Sequence, residues 1–523
     1  MAGPGQVLKL LMLMAALAVM SPFAMADCEA VSAEPGTKRP MSEAWGTDHA
    51  GQRYQPATRT SINADNAATL QLKWVYGFST DKPRSYPLVT EDTIFIGDGE
   101  RGLVALDRET GCLRWENTSM PDVATAIIPA RIDGQLVLVF AEREAGVHAV
   151  DARTGEKLWT QPFENMEEPM FSGSPLVYKD VVYVPLSSRE IGLALNPLYE
   201  CCRTSGGVVA LDVRSGKQRW YRPTIDEPVR ETGKHLLVVS EYGPSGAPVW
   251  NTPTLDAEQG RLYFGTGQNY SLPATLTSDA IFSVHSENGE VDWVRQFTAN
   301  DTYNLSCEAS TNHPNCPNPV GPDLDFGAPP ILYERADGKR LLFAGQKSGD
   351  VYALDAVTGD TLWTRRIGRG GKLGGIHWGM ALDPQSGQLF VPVSDVGDRG
   401  GELRQPGVFA LDVADGSMRW SAERDARCEE RKCWPGISAA IAAGPGIVVS
   451  GGMDGLLQIN RSKDGATLWS YETMRSVTAV NGVETAGGVI DAHGPMLAGD
   501  LLIVASGYGT FSQEGGNALL VFA

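Results

Sequence analysis

Two aspartates and one lysine have the residue types and the spacing to do chemistry. Asp323 and Asp325 stand two residues apart in PDLDFG, and Lys347 follows in AGQKSG. In an extended segment, residues two apart point to the same side, so both carboxylates would face one way. A carboxylate placed like this could serve as a general base or as a metal ligand. The alternative interpretation is an aspartate pair in a surface loop and a solvated lysine.

A second unusual feature is the adjacent pair Cys201 and Cys202. A disulfide between sequence neighbours closes a small ring and distorts the peptide bond inside it. Distortion of this kind is found mainly at functional sites. The alternative interpretation is two thiols that bond elsewhere or not at all. We predict the ring.

A repeated phrase indicates the elements that must position these residues. Residues 353–363 read ALDAVTGDTLW, which predicts an apolar strand, a tight Thr-Gly turn and a second strand ending on Trp. The segment QLKWVYGF around Trp74 matches only the second half of the phrase, and residues 517–523 match only the first half. Further copies lie at 105–115, 149–159, 210–220, 283–293, 410–420 and 460–469.

This repetition predicts an all-β fold, an eight-bladed β-propeller. Each copy supplies two strands of a four-stranded antiparallel sheet, and such a sheet buries both faces only by packing against its neighbours. The strand at Trp74 is expected to pair beside 517–523 and so to close the ring from the two ends of the chain. We interpret the eight repeated Trp residues as blade-docking residues.

The first 26 residues predict export. LLMLMAALAVM (10–20) is typical of a signal peptide, with cleavage near Ala26, and it is too short to span a bilayer. We therefore expect a periplasmic protein without a membrane span, in which residues 27–523 form a single propeller domain. The formal net charge of −19 argues against nucleic acid and anionic membranes as partners.

Eight cysteines in an exported chain imply disulfides. Apart from Cys201 and Cys202, two pairs are close in sequence. The two that remain could tie the N-terminal extension to the first blade. Zinc is a weak alternative, because the spacings give no two nearby CxxC halves. The expected additional pairs are Cys307 with Cys316, Cys428 with Cys433, and Cys28 with Cys112.

The longest intervals between repeats, within 235–350, hold motifs that resemble a known family. The motifs WNTP and FGTG within 250–270, and DLDFG within 321–333 followed by Lys347, resemble the pyrroloquinoline quinone (PQQ) dependent alcohol dehydrogenases. The segments YECCRTSGGVVALD, GGIHWGMALD and VNGVETAGGVIDAHGP are similar to the polyvinyl alcohol dehydrogenase branch. The resemblance covers residues 42–523.

The resemblance implies a site that holds PQQ and Ca²⁺. Asp325 falls on the proposed base and lies beside the metal, and Lys347 falls on the residue that hydrogen-bonds the reactive quinone oxygen. Trp250 falls on the floor of the cofactor ring, and the Cys201–Cys202 ring is expected on the opposite face. The remaining expected contacts are Glu190 to calcium, and Ser172, Ser187, Trp378 and Trp434 to the cofactor.

Three departures from the family pattern matter. The family's metal-binding Asn after FGTG is Gln268 here, with Asn269 next, so either could be the ligand. Gly327 stands where lanthanide-using members have an extra Asp, which favours calcium. No cytochrome domain follows, so electrons are expected to pass to a soluble cytochrome c or another external acceptor. Trp378 and Trp434 could alternatively be loop-packing residues.

The resulting prediction is a periplasmic quinoprotein that oxidises secondary or polymeric alcohols by hydride transfer to calcium-bound PQQ. The main alternative is a non-catalytic propeller scaffold of the outer-membrane assembly type, because a fold alone does not set function. A third interpretation is a relative that oxidises sugars or aldehydes.

Overall fold

The fold was analysed in a computed structural model, which describes residue 28 and residues 38–163, 166–395, 406–424, 433–509 and 513–523. The expected signal peptide (1–26) and Cys428 lie outside these residues. In the described part of the chain, no helix is both long and apolar enough to cross a membrane.

Eight antiparallel sheets follow one another along the described chain, which confirms the all-β, eight-bladed propeller. Blade one contains Leu88–Val89, Thr93–Gly97, Leu103–Asp107 and Leu113–Asn117; blade two contains Ile128–Ile132, Gln135–Glu142, Gly146–Asp151 and Lys157–Gln161. Blade three contains Leu176–Tyr178, Val181–Ser188, Gly207–Asp212 and Gln218–Pro223, with Pro169–Met170 added; blade four contains Thr254–Asp256, Arg261–Gly265, Ala280–His285 and Val291–Gln296.

The remaining blades repeat this order. Blade five contains Ile331–Glu334, Arg340–Gly345, Asp350–Asp355 and Thr361–Arg366; blade six contains Ala381–Asp383, Gln388–Val393, Gly407–Asp412 and Met418–Glu423. Blade seven contains Ala442–Gly444, Ile447–Gly451, Leu456–Arg461 and Thr467–Glu472; blade eight contains Met496–Ala498, Leu501–Ser506, Ala518–Phe522 and Leu72–Gly77.

Blade eight closes the ring with strands from both ends of the chain, as expected. Leu72–Gly77 runs antiparallel to Ala518–Phe522, with Trp74 opposite Val521. The two half-phrases of the repeat therefore form one sheet, which closes the ring between blades seven and one.

Each repeated Trp docks its blade on the next one. In blade five, the indole of Trp363 donates to the carbonyl of Val413 (3.2 Å) in blade six. A Cβ on the turn residue Gly416 would lie 2.7 Å from the same indole, so the Trp lies directly on a glycine. The corresponding indole bonds run from Trp74 to Arg108, Trp115 to Ala152, Trp159 to Val213, Trp220 to Ser286, Trp293 to Ala356, Trp420 to Ser462 and Trp469 to Leu70.

The segment 41–55 runs across the first strands of several blades, a feature that the repeat did not predict. Its backbone bonds join Met41 to Val89, His49 to Leu255, Ala50 to Leu332, Gln52 to Leu382 and Gln55 to Ala443. These partners belong to blades one, four, five, six and seven. Because one segment reaches the first strands of so many blades, it lies across one end of the ring.

Loops and short elements outside the blades gather between blades three and five. The helices Glu190–Leu193 and Ser306–Ala309 lie in these loops, as do the hairpin Arg230–His235 with Val239–Gly243 and the strand pair Ser245–Gly246 with Asn269–Ser271. The other short elements are the 3₁₀ turns Ala67–Thr69 and Gly99–Arg101 and the paired strands Ser476–Thr478 with Glu484–Ala486.

Three of the expected disulfides are present. Cys201 bonds to Cys202 and Cys307 bonds to Cys316. Cys28 bonds to Cys112 and so attaches the N-terminal extension to the edge of blade one. The fourth expected pair includes Cys428, which lies outside the described residues.

Candidate active site

A cavity of about 690 Å³ lies among the loops of one end of the propeller. Its size suits a small ligand or cofactor, since such sites commonly enclose about 300–1,000 Å³. Most of the residues expected at the site contribute to its wall. They are Ser172, Ser187, Trp250, Gln268, Asp325, Lys347, Trp378 and Trp434.

Asp325 is held in the cavity wall by three donors. Its Oδ2 accepts from Nε1 of Trp250 at 3.1 Å and from Nζ of Lys347 at 2.9 Å. Its Oδ1 accepts from the backbone N–H of Gln268 at 3.0 Å. A side chain at position 267 would clash with this carboxylate, because its Cβ would lie 2.7 Å from Oδ1. The carboxylate is therefore fixed in position while it faces the cavity.

Lys347 connects the two aspartates that the sequence singled out. Its Nζ also donates to Oδ1 of Asp323 at 3.1 Å, and all three side chains are buried. The two carboxylates converge even though Asp323 has a left-handed φ of 60° and is not extended. The surface-loop interpretation of this trio is wrong, because none of its members is solvated.

The charges of this trio depend on one another. Burial alone would lower the pKa of Lys347, but the attraction of Asp323 and Asp325 outweighs burial and raises it. Burial is the main cause that raises the pKa of Asp323, and Lys347 opposes it. The ammonium therefore stays charged next to Asp325 and can stabilise negative charge that develops beside it.

The acidic loop is supported by two aspartates that the sequence did not indicate. The Asp301 carboxylate accepts from the backbone N–H of Asp323 at 3.0 Å and of Leu324 at 2.8 Å. Asp279 is fully buried nearby, and neither of its carboxylate oxygens has a hydrogen-bond partner among the described residues. Burial, followed by repulsion from Asp301 and Asp325, raises the pKa of Asp279.

Trp250 lies between the acidic trio and a second group of aromatic rings. Nζ of Lys347 lies 5.4 Å from the centre of its ring, and Trp378 meets it edge-on at 5.3 Å. A Cβ on Gly327 would lie 2.0 Å from its ring, so position 327 has no room for a side chain unless Trp250 moves. The indole is thus fixed by both neighbours as one flat wall of the cavity.

His377 lines the cavity next to Trp378, within the segment GGIHWGMALD. Its Nδ1 lies 2.6 Å from the hydroxyl of Ser438. Burial, followed by repulsion from Lys347, lowers the pKa of His377 to about 3. The ring is therefore neutral near pH 7 and can donate or accept a hydrogen bond in the cavity without adding charge.

Gln268 and Asn269 differ sharply in what they contact. Oε1 of Gln268 is buried at the cavity wall and has no hydrogen-bond partner among the described residues. The amide of Asn269 is fully committed, with its Nδ2 donating to Ser245 O at 3.0 Å and its Oδ1 accepting from the N–H of Thr275 at 2.8 Å. Of the two, only Gln268 offers an oxygen to the cavity.

Glu190 is buried but is not among the side chains that line the cavity. Its carboxylate accepts from the backbone N–H groups of Arg203 (2.9 Å) and Thr204 (2.8 Å). The hydroxyls of Tyr199 (2.9 Å) and Thr204 (2.6 Å) also donate to it. The expected calcium ligand is thus held by residues 199–204, and its role at a metal remains a prediction.

The Cys201–Cys202 pair is not among the residues that line the cavity, and its expected place against the cofactor opposite Trp250 remains a prediction. It packs behind the wall in an apolar cluster with Ala194 and Tyr270. Tyr270 is the member that reaches the cavity. The segment 199–204 that carries the pair is held by its hydrogen bonds to the buried Glu190.

The rim of the cavity carries charged residues that sequence motifs did not indicate. Glu308 accepts from the hydroxyl of Tyr303 at 2.6 Å and from Nζ of Lys372 at 2.5 Å. Two further cations, Arg84 and Arg143, also line the cavity. The only signal in the sequence was the length of the loops between repeats.

Comparison with known sequences gives consistent relatives. A family model described as "Outer membrane protein assembly factor BamB" matches residues 42–306 and 326–518. A polyvinylalcohol dehydrogenase from Pseudomonas sp is 32% identical over 496 residues, covering 92% of this chain and 76% of the relative. A second, from Sphingopyxis sp. (strain 113P3), is 33% identical over 487 residues, covering 91% and 74%.

Solved structures share the fold. Quinohemoprotein alcohol dehydrogenase from Comamonas testosteroni superposes with a TM-score of 0.67 at 18% identity, covering 92% of this chain and 80% of that one. BamB from Moraxella catarrhalis gives a TM-score of 0.51 at 13% identity, covering 87% and 99%. At such identities the likeness shows the propeller only. The sequence identity to the two polyvinylalcohol dehydrogenases, which extends over almost the whole chain, shows that this protein belongs to the PQQ-dependent alcohol dehydrogenase family.

Proposed function

We propose that the cavity oxidises secondary or polymeric alcohols, with PQQ as the electron acceptor and Ca²⁺ as its metal ion. The observation that carries this proposal is the Asp325 carboxylate, which is fixed by Trp250, Lys347 and the backbone of Gln268 while it faces the cavity. A base that is held in position within reach of a hydroxyl group is the first requirement of this chemistry.

The residues present fit the cofactor. Trp250 offers a flat, rigid wall to a flat ring. Arg84 and Arg143 supply positive charge to a ligand that carries carboxylates, since guanidinium groups pair well with them. Oε1 of Gln268, which has no hydrogen-bond partner within the described ranges, is a hard oxygen of the kind that calcium prefers. When bound, PQQ with its metal ion supplies the two-electron acceptor and the Lewis acid.

The chain's own residues supply the proton chemistry and the positioning. The Asp325 carboxylate takes the proton of the alcohol hydroxyl. Lys347 keeps a positive charge beside that carboxylate and stabilises negative charge that forms next to it. Neutral His377 adds a hydrogen bond without a competing charge. The buried side chains around them lower the effective dielectric constant, which strengthens each of these interactions.

The substrate and the cellular setting are inferred from separate observations. Two relatives are polyvinylalcohol dehydrogenases, which favours a polymeric or secondary alcohol here. The signal-peptide pattern of residues 1–26 supports a periplasmic location. A soluble cytochrome c, or another external acceptor, would then receive the electrons. The non-catalytic scaffold is less well supported, because it gives no reason for a buried, convergent Asp325, Lys347 and Trp250.

The proposal is tested by reconstitution. Purified protein free of cofactor is given PQQ and Ca²⁺, and dye-linked oxidation of a secondary alcohol is followed. We expect turnover that needs both additions, and a loss of about 10²–10⁴-fold in Asp325→Asn, the usual contribution of a general base.

PQQ binding, followed by quenching of tryptophan fluorescence, shows whether each variant is loaded. Asp415→Asn, at a surface turn, is the matched control and should behave as the parent. Equal turnover in loaded Asp325→Asn and in the parent would remove Asp325 from the mechanism.

A further inference from the structure

The tip of the hairpin formed by Arg230–His235 and Val239–Gly243 exposes apolar side chains to solvent. Leu236, Leu237 and Val238 are 57%, 93% and 75% exposed. Consecutive apolar residues are rarely left in water on a soluble protein unless they bind something. The tip is therefore a candidate binding surface.

The hairpin is fastened to the segment that follows the helix Glu190–Leu193. Nε2 of His235, the residue before the tip, lies 2.9 Å from the carbonyl oxygen of Pro197. The residue after Pro197 is Leu198, which is 67% exposed. Leu198 and Leu236 therefore each follow one member of this hydrogen-bonded pair, and both are exposed.

The segment before Pro197 leads back to the cavity. Leu195 is 47% exposed and lies in the turn that follows the helix, where its N–H bonds to the carbonyl of Gly192 at 3.0 Å. Ile191 lines the cavity, and so does Leu305, whose N–H bonds to the carbonyl of Ile191 at 3.0 Å.

The His235–Pro197 hydrogen bond joins two segments that carry the apolar residues Ile191, Leu195, Leu198, Leu236, Leu237 and Val238. We infer that these residues form an apolar strip from the cavity wall to the hairpin tip. This apolar strip binds the carbon backbone of a polymeric alcohol while one of its hydroxyl-bearing carbons lies in the cavity. The inference rests on the proposed function and specifies its substrate class.

The chemistry of the strip favours such a polymer over other occupants. A vinyl-alcohol chain carries a continuous hydrocarbon backbone with hydroxyl groups at intervals, so it can lie on apolar residues while its hydroxyls face water. A short alcohol would fill the cavity and never reach the tip. Beside the tip, Lys234 lies 3.7 Å from Glu231, and Glu241 lies 3.3 Å from His235. The two carboxylates oppose the binding of anionic lipid.

The test removes apolar surface at the tip without touching the cavity. In the reconstituted enzyme, the double variant Leu237→Ser with Val238→Ser should raise KM for polyvinyl alcohol by about tenfold, from the loss of two apolar contacts. Its kcat/KM for 2-butanol and its KM for the electron acceptor should not change. Val357→Ser is the matched control, since Val357 is 48% exposed on a distant turn of blade five.

A second readout does not need turnover. Binding of a fluorescein-labelled vinyl-alcohol oligomer to the cofactor-free protein is followed by anisotropy, and the double variant should bind about tenfold more weakly than the parent and Val357→Ser. Unchanged oligomer affinity would overturn the inference, as would a change confined to the acceptor KM or to vesicle binding. If the reconstituted parent does not oxidise 2-butanol, that result would instead count against the proposed function. The anisotropy measurement would still show whether the apolar strip binds the oligomer.

Discussion

The position of Asp325 is set by groups that come from three different parts of the chain. Trp250 and the backbone of Gln268 belong to blade four and its loops, and Lys347 follows the second strand of blade five. Each donor restricts one oxygen, so the carboxylate cannot turn away from the cavity. Side chains fixed in this way lose little freedom when a substrate binds.

Position 268 gives a prediction at this scale. Gln268→Ala removes the buried oxygen that has no partner among the described residues, so the Ca²⁺ concentration that supports half-maximal PQQ binding should rise. Tryptophan fluorescence at several Ca²⁺ concentrations measures it. A rise of about tenfold would match the loss of one hydrogen-bonded or liganding group.

Asn269→Ala is the paired variant. It leaves the oxygen of Gln268 in place but removes bonds to Ser245 and Thr275, so it should lower the free energy of unfolding by about 1–3 kcal/mol. Its calcium requirement should match that of the parent. The opposite pattern, with calcium sensitivity only in Asn269→Ala, would assign the ligand to Asn269.

The blades are joined by a contact between a tryptophan and a glycine. Seven turn glycines lie under the indole of the preceding blade, and each has a positive φ of 68–75°. A residue other than glycine would be strained by the φ and would also meet the ring. The glycine of each turn therefore both permits the positive φ and leaves room for the indole, which explains why the turn and the Trp recur together.

Gly359→Ala tests this contact, because its Cβ would lie 2.6 Å from the ring of Trp293. We expect overpacking to lower the free energy of unfolding by about 1–3 kcal/mol. The positive φ that the alanine would have to adopt adds a further cost. Gly338→Ala is the control, since Gly338 also has a positive φ (81°) but nothing lies within 4 Å of its Cβ. Urea unfolding of both variants measures the difference, and equal losses would mean that the indole contact contributes nothing.

At the scale of the whole molecule, the ring is fastened at two places. Blade eight joins both ends of the chain, and the segment 41–55 lies across the first strands of several blades. Within that segment, the buried guanidinium of Arg53 donates to the carbonyls of Ile441 (2.5 Å), His493 (3.0 Å) and Pro495 (3.1 Å). One side chain thus ties the segment to the loops of blades seven and eight.

Arg53→Ala should therefore destabilise the entire ring. It leaves three buried carbonyls without their donor, which costs about 3 kcal/mol or more. The free energy of unfolding and the thermal midpoint should both fall. Arg214→Ala is the control, because Arg214 pairs only with Asp133 at the exposed surface and its loss should not be detectable. If the two variants have the same thermal midpoint, the segment 41–55 does not stabilise the ring.

The sequence by itself determined the architecture and three residues of the site. Apolar alternation, a Thr-Gly turn and a terminal Trp are local signals, and their repetition fixes the number of blades and the closure of the ring. Asp325, Lys347 and Trp250 were indicated by their motifs and by the family resemblance, and the structure brings them together in the wall of one cavity.

Only the tertiary structure decided how the loops fill that frame. Contacts between distant segments decide three features of the site. They are the choice of Gln268 over Asn269 as the side chain that faces the cavity, the burial of Glu190 against 199–204, and the packing of the Cys201–Cys202 pair with Tyr270. The path of 41–55 has the same origin. Periodic patterns encode strands because each strand repeats the same local environment, whereas a loop takes its path from partners that no single stretch of sequence contains.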